Sequence, residues 1–274
     1  MENDNVWSTT DLNKFVYQQT KLLCEANDFV LSPRRAKTLV RIKGHLIQIV
    51  RPEISYSHTE IRFGVSPTTS FNNVIFADNV VFPRKTNDSG VKFFNNYYMV
   101  GIDRNNIKWI YDSARMKAVW EEVVSPQIKT EVISVLDSID FEQYFSLCEH
   151  RRYGILRCGI NPGTDNAVWH MARGHNRIWE GRITESVPLL EQALQGNKKY
   201  IDSYKDSGDI DPCIQEEYSS IQELLMIVRN EDTELDTRVL NHMQGLEQIA
   251  LNKTWGVALS PERKTIRLKK KELL

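Results

Sequence analysis

His170 and His175, with Trp169 and Glu180 close by, are the residues of this sequence whose types most invite chemistry. Two imidazoles and a carboxylate form the donor set of a metal-dependent hydrolase or nuclease-like enzyme. Their spacing argues the other way. Helical zinc sites place two histidines four residues apart so that both rings share a face, whereas five residues at 100° each set these two about 140° apart. They read as polar surface histidines on a Trp-anchored helix, and no metal or other cofactor is expected. Cys148 and His150 lie two apart with no second pair at ligand spacing. The sequence holds no G-x-S-x-G elbow, no Walker-type loop and no G-x-G-x-x-G, so the common nucleophile and phosphate cradles lack support. Glu121-Glu122 and Glu216-Glu217 are adjacent carboxylates, which on a helix point in different directions and read as solvated faces. The balance leans away from an enzyme.

What remains is basic. Arg34, Arg35, Lys37, Arg41 and Lys43 fall on or beside a first strand pattern, and Arg51 and Arg62 on its neighbours. If Arg41, Lys43, Arg51 and Arg62 share an outer sheet face, they form a positive patch able to hold phosphate or an acidic protein surface, with Tyr56 and His58 interleaved. The ordinary alternative is that these cations keep the face hydrated and guard an edge strand. A second cluster, Arg263, Lys264, Arg267 and Lys269–Lys271, reads as a solvated tail, or one lying against the acidic helical half.

The elements that would position these groups follow from periodicity. Ser8-Thr-Thr-Asp11 is a capping signature, and Leu12, Phe15, Val16, Leu22 and Leu23 space as one helix face over about 8–27. The period then changes to two. Residues 38–43, 46–50 and 60–65 alternate across short connections, which predicts an antiparallel sheet with one polar face. Residues 66–96 are rich in Asn, Pro, Ser and Thr. Strands are expected at 97–100 and 107–110, and a helix at 112–123. Ser125-Pro126 should restart that helix as N-cap and first helical residue. From about 140 the period is helical: a helical hairpin over 165–180 and 186–205, a helix from Asp211-Pro212, and another carrying Leu235 to Ala250. Trp255–Leu259 and Lys264–Leu268 read as a small hairpin.

Composition fits this architecture. Of 274 residues, 41% are hydrophobic, 26% charged and 9% aromatic, which excludes collagen-like, disulfide-scaffold and wholly disordered classes. The net charge of −1 conceals an uneven distribution: +3 over residues 1–112, −1 over 113–158, −7 over 159–259 and +4 over 260–274. Overall neutrality weighs against a long-range field for DNA or membranes, and nucleic-acid binding would need a larger continuous basic face. Four cysteines without a C-x-x-C, no secretion-like start and no apolar run of about 18 residues lead to the expectation of a cytoplasmic protein with reduced thiols and no membrane span.

The front half, through "NDFVLSPRRAKTLVRI" and "LIQIVRPEISYSHTEIRFGVSP", resembles an uncharacterised bacterial domain-of-unknown-function family, in an N-terminal helix followed by a basic strand, a Gln-bearing strand and an apolar strand. The likeness covers about residues 8–150 and carries no catalytic residues. "MARGHNRIWEGRITESVPLLEQAL" is similar to the junction of a tetratricopeptide-type helical hairpin, with Gly181 in the turn; one such unit is visible where about three are needed for an array.

These readings lead to an α+β protein: an N-terminal helix on an antiparallel sheet (1–138), then a mainly helical half (139–274) ending in a short hairpin or basic tail. The expected function is non-enzymatic protein binding, immunity-like or regulatory, with Arg41, Arg51, Arg62, Tyr56 and His58 as the binding surface. The alternatives are the metal-dependent enzyme on His170, His175 and Glu180, and a nucleic-acid binder using the basic strands and tail.

Overall fold

A computed structural model describes residues 6–54, 59–69, 90–93, 99–103, 108–145, 167–205, 208, 210–229 and 235–259. It holds an N-terminal helix, antiparallel sheets and a mainly helical C-terminal half, the expected α+β class. The chain divides into two compact units. One takes Met1–Lys43, Ile47–Val65 and Phe82–Ile139; the other takes Gly44–Leu46, Ser66–Val81 and Asp140–Leu274.

In the first unit, strand β1 (Val6–Ser8) leads into helix α1 (Thr9–Glu25). The start is fixed by the box read from the sequence: the Ser8 hydroxyl accepts from the Asp11 N–H at 3.3 Å, and Asp11 Oδ2 accepts from the Ser8 N–H at 3.0 Å. Two of the helix's orphan donors are thereby satisfied. β1 pairs antiparallel with β8 (Lys108–Asp112), which pairs with β7 (Met99–Asp103). Trp7 packs on Phe15, ring centroids 4.8 Å apart, and Phe15 meets Trp120 edge-on.

A five-stranded sheet runs in the order β2 (Val30–Leu31), β3 (Leu39–Lys43), β4 (Leu46–Ile54), β5 (Thr59–Pro67), β6 (Gly90–Phe93). Its centre differs from the expected half-solvated sheet. Leu46, Ile47, Gln48, Ile49 and Val50 are all buried in succession, so β4 has no polar face over this stretch. Gln48 alternates like a solvent-facing residue, yet its side-chain amide donates to the Leu136 carbonyl, and its Oε1 accepts from Arg41 Nε at 2.8 Å. A helix end covers the face, and the polar groups there satisfy each other.

That helix is a continuous rod, α2 (113–138), capped by Asp112, whose Oδ1 accepts from the Arg115 N–H at 2.8 Å. The expected break at Ser125-Pro126 is absent. Ser125 keeps helical angles (φ −61°, ψ −44°), and wide π-type turns run over Trp120–Val124 and Ile128–Ile133. Proline lacks an N–H and crowds the carbonyl four residues back; a wider turn relieves that crowding without ending the helix. Ile128, Val132 and Leu136 are fully buried along the rod.

Among the described residues, the second unit is helical apart from its strand-derived pieces. A short helix, α3 (141–145), precedes the hairpin of α4 (Ala167–Trp179) and α5 (Ile183–Tyr204). Gly181 makes the turn at φ 75°, a conformation that favours glycine. Helices α6 (Pro212–Arg229) and α7 (Leu235–Trp255) follow. Leu190, Ala193, Ile221, Leu224, Met243 and Ala250 form the centre of their shared core. Trp255, expected to open a strand, is instead the last residue of α7. Gly256, at φ 71°, ends that helix, its N–H donating to the Asn252 carbonyl at 3.0 Å. Among the described residues, no helix is long and apolar enough to cross a membrane.

Candidate functional site

Of the expected binding residues, Arg41 lies within a network. Its guanidinium donates to the Asn27 carbonyl (2.9 Å), to Gln48 Oε1 and to Asp137 Oδ1 (2.6 Å), and sits 4.5 Å above the Phe29 ring. Its side chain is 13% exposed, so it buttresses the fold. Lys43, half exposed, joins it at Asp137. Arg51 and Arg62 are half-buried on β4 and β5, with Arg62 opposite Gly90. Tyr56 and His58 lie outside the described residues, as do Cys148, His150, Cys158 and the basic tail. Cys24 and Cys213 are poor nucleophiles: burial pushes the first thiol up to about 12, and burial with the nearby Asp211 carboxylate pushes the second up to about 11.

The two histidines taken for surface groups are both buried on α4, as are Met171, Ala172 and Ile178, so this helix is covered round most of its circumference. His175 is 1% exposed, and its Nδ1 lies 2.9 Å from the Thr69 hydroxyl. Its Nε2 is buried without a hydrogen-bond partner. Burial, and secondly the proximity of His242, holds its pKa down at about 3, so the ring is neutral at physiological pH. Glu180 is occupied elsewhere: it accepts from Asn176 and Arg177 at the end of α4. No cluster of three His, Cys, Asp or Glu able to hold a metal ion occurs among the described residues.

Two arrangements of the second unit were not foreseen. The first is a buried polar knot. Gly44, at φ 60°, turns the β3–β4 hairpin so that His45 projects from its tip. His45 Nδ1 meets Glu247 Oε1 on α7 at 2.8 Å, and its ring lies flat on Trp179, centroids 3.9 Å apart at 7°. The Thr68 hydroxyl also reaches Glu247 Oε1, while the Thr68 N–H donates to the His45 carbonyl at 2.9 Å. A buried carboxylate fixing one imidazole nitrogen is the geometry of an acid–base pair. Here Thr68 faces the carboxylate and the backbone, so it cannot act as a nucleophile activated by that imidazole. The knot locks strand ends to a helix.

The second is a groove of about 610 Å³ between α6 and α7. Ser219, Ser220 and Glu223 line it from α6, and His242, Gly245 and Ile249 from α7. These positions recur at three and four residues, one face of each helix. Gly245 opens the floor: a Cβ built there would meet nothing within 4 Å. Ile249 is 50% exposed, and Met226, one turn beyond Glu223, is 64% exposed. Leaving apolar side chains this open forgoes burial worth about 1.5 kcal/mol or more for each one covered. His242 Nδ1 lies 3.9 Å from Glu223 Oε2, and burial lowers the pKa of the ring despite that carboxylate. His242 Nε2 and Ser220 Oγ are buried without partners. Glu216 and Lys253, which also line the groove, are paired with each other.

The sequence carried two faint signs of these places. Gly245 is an isolated glycine inside a helical pattern, where it costs about 1 kcal/mol relative to alanine. Glu247 follows Met243 and Val239 at four-residue spacing, which puts a carboxylate on the apolar stripe. Compared with family models, curated proteins and solved structures, the chain matches none.

Proposed function

We propose that this is a non-enzymatic binding protein that holds another protein, and that the surface engaged is the α6–α7 groove. The observation that carries the reading is the groove itself: an open floor at Gly245, a half-exposed Ile249, and the Glu223 carboxylate on its wall. Its volume lies in the range of binding pockets, and its shape suits a helix or extended segment laid between two helices. The occupant it fits is a partner segment bearing apolar side chains for the floor and basic ones for the wall, since the surrounding stretch 159–259 carries −7. The reading keeps the function expected from the sequence and moves the surface. Arg41 makes a poor recognition residue because four groups of its own chain already engage its side chain.

Affinity capture with the wild type, Gly245→Phe and Glu223→Lys tests it. Gly245→Phe fills the floor and Glu223→Lys reverses the charge on the wall. A protein with a basic, apolar segment should be retained by the wild type and lost from both variants, with thermal midpoints unchanged. Retention of the same proteins by all three would overturn the reading.

A further inference from the structure

The first unit holds a cavity of its own. It measures about 400 Å³, within the range of ligand sites, and lies between α1 and α2. Phe15 and Gln19, one turn apart on α1, line one side; Lys117, Trp120, Glu121 and Ser125 of α2 line the other. The Phe15 and Trp120 rings meet at 80° with centroids 6.0 Å apart, which makes an aromatic corner. A wide turn shapes the α2 side: the Ser125 N–H donates to the Trp120 carbonyl five residues back, and both residues line the cavity. Such a turn shifts the side chains that follow it off the regular four-residue rows, and turns of this kind recur at functional sites. Lys117 and Glu121 are four residues apart, yet they form no ion pair with each other. Cation before carboxylate is the weaker order on a helix, and the wide turn begins between them. The Lys117 ammonium instead lies 5.6 Å from the centroid of the Trp7 ring. Among the described residues, the side chains of Gln19, Glu121 and Ser125 make no hydrogen bond or ion pair.

We propose that this cavity binds a free α-amino acid with an apolar side chain. The Glu121 carboxylate takes the ligand's ammonium group and the Lys117 ammonium takes its carboxylate. The apolar side chain lies in the corner between Phe15 and Trp120, and the Gln19 amide and Ser125 hydroxyl bond the charged groups further. Two opposite protein charges select a zwitterion, because a ligand with one charge satisfies only one of them. Their spacing selects further. Four residues of helix rise about 6 Å, which suits two charges attached to one carbon rather than to the ends of a long chain. The site is independent of the α6–α7 groove, and adds a small-molecule ligand to a protein-binding reading that it does not rest on.

Isothermal titration calorimetry of the full chain tests the proposal, with L-leucine and L-phenylalanine as probes. The controls are their N-acetyl forms, which lack the positive charge, their carboxamides, which lack the negative one, and 6-aminohexanoate, which holds both charges far apart. Saturable one-to-one binding of at least one probe is expected. It should weaken about tenfold or more in Lys117→Gln, in Glu121→Gln and with either blocking group. Both side chains are exposed, so melting midpoints without ligand should match the wild type. The carboxamide should lose little further in Lys117→Gln, and the N-acetyl form little further in Glu121→Gln, because each pair of changes removes the same contact. No binding of either probe, equal binding of the blocked forms, tighter binding of 6-aminohexanoate, or binding that neither substitution moves would overturn the proposal.

Discussion

His45 Nδ1 stands 2.8 Å from Glu247 Oε1 across 202 residues of sequence. Glu247 is 1% exposed at its side chain and His45 19%, so the pair is largely removed from water while the imidazole keeps one edge near the surface. Removing the carboxylate takes the partner from a buried face of the ring and leaves the Thr68 hydroxyl only the His45 carbonyl, 3.0 Å away. Glu247→Ala should cost about 3 kcal/mol in chemical denaturation. Thr68→Ala should cost about 1 kcal/mol alone, and the double variant should fall short of the sum by at least about 0.5 kcal/mol because both act on one carboxylate. Strict additivity would show that the three residues do not act as a unit.

Acid should weaken the fold through His175. The ring titrates near 6.5 in an unfolded chain and is held at about 3 in the folded one. Between those values the unfolded chain takes up a proton that the folded chain refuses, so stability falls as pH drops, by up to about 1.4 kcal/mol per pH unit. His242 is depressed in the same direction and adds to the slope. His175→Asn, which can still bond Thr69, should be less steep than wild type when urea midpoints are compared from pH 7 to pH 4.5. An identical slope would remove His175 as its source.

Gly174 and Gly245 offer opposed outcomes from the same substitution. A Cβ at Gly174 would come within 2.8 Å of Leu190 Cδ2 and 2.9 Å of Leu190 Cγ, where α4 and α5 approach closely. Gly174→Ala should cost about 1–3 kcal/mol through overpacking. Gly245→Ala meets open space and should be neutral or stabilising by up to about 1 kcal/mol from helix propensity. Thermal melts of the two variants side by side decide the matter.

Arg41→Glu should not behave as a surface substitution. It removes donors to the Asn27 carbonyl and Gln48, and sets a carboxylate beside Asp137. A loss of about 3 kcal/mol is expected, whereas Asp137→Asn, at a side chain 46% exposed, should cost under about 1 kcal/mol. Equal small losses would return Arg41 to the list of recognition residues.

Local signals in the sequence were reliable where a few neighbouring residues decide the outcome. The Ser8–Asp11 box, the Gly181 turn and the helical spacing of Leu189 to Tyr204 all involve partners within a turn or two. Misreadings arose where a distant element intervened. Gln48 and Arg41 alternate like solvent-facing residues, and only the end of α2, nearly 90 residues away, turns that face inward. Ser125-Pro126 is an ordinary start signal for a new helix, overridden by wide turns on either side that carry one helix through it. Of the groove, the helices were legible and the opening was not, because it depends on how two helix faces meet.

The knot carries a consequence for how the molecule can be cut and made. The second unit is not one stretch of chain: besides Asp140–Leu274 it needs Gly44–Leu46 and Ser66–Val81. A fragment beginning at Asp140 would carry Glu247, Trp179 and His175 while lacking His45, Thr68 and Thr69. Such a piece would expose a carboxylate and an imidazole in a half-built interior. During synthesis the hairpin tip emerges about 200 residues before Glu247 on α7, so the contact that closes this unit must wait until that helix has been made. High sequence separation of this kind slows folding. The pieces are joined in space, and must therefore be inherited, expressed and refolded together.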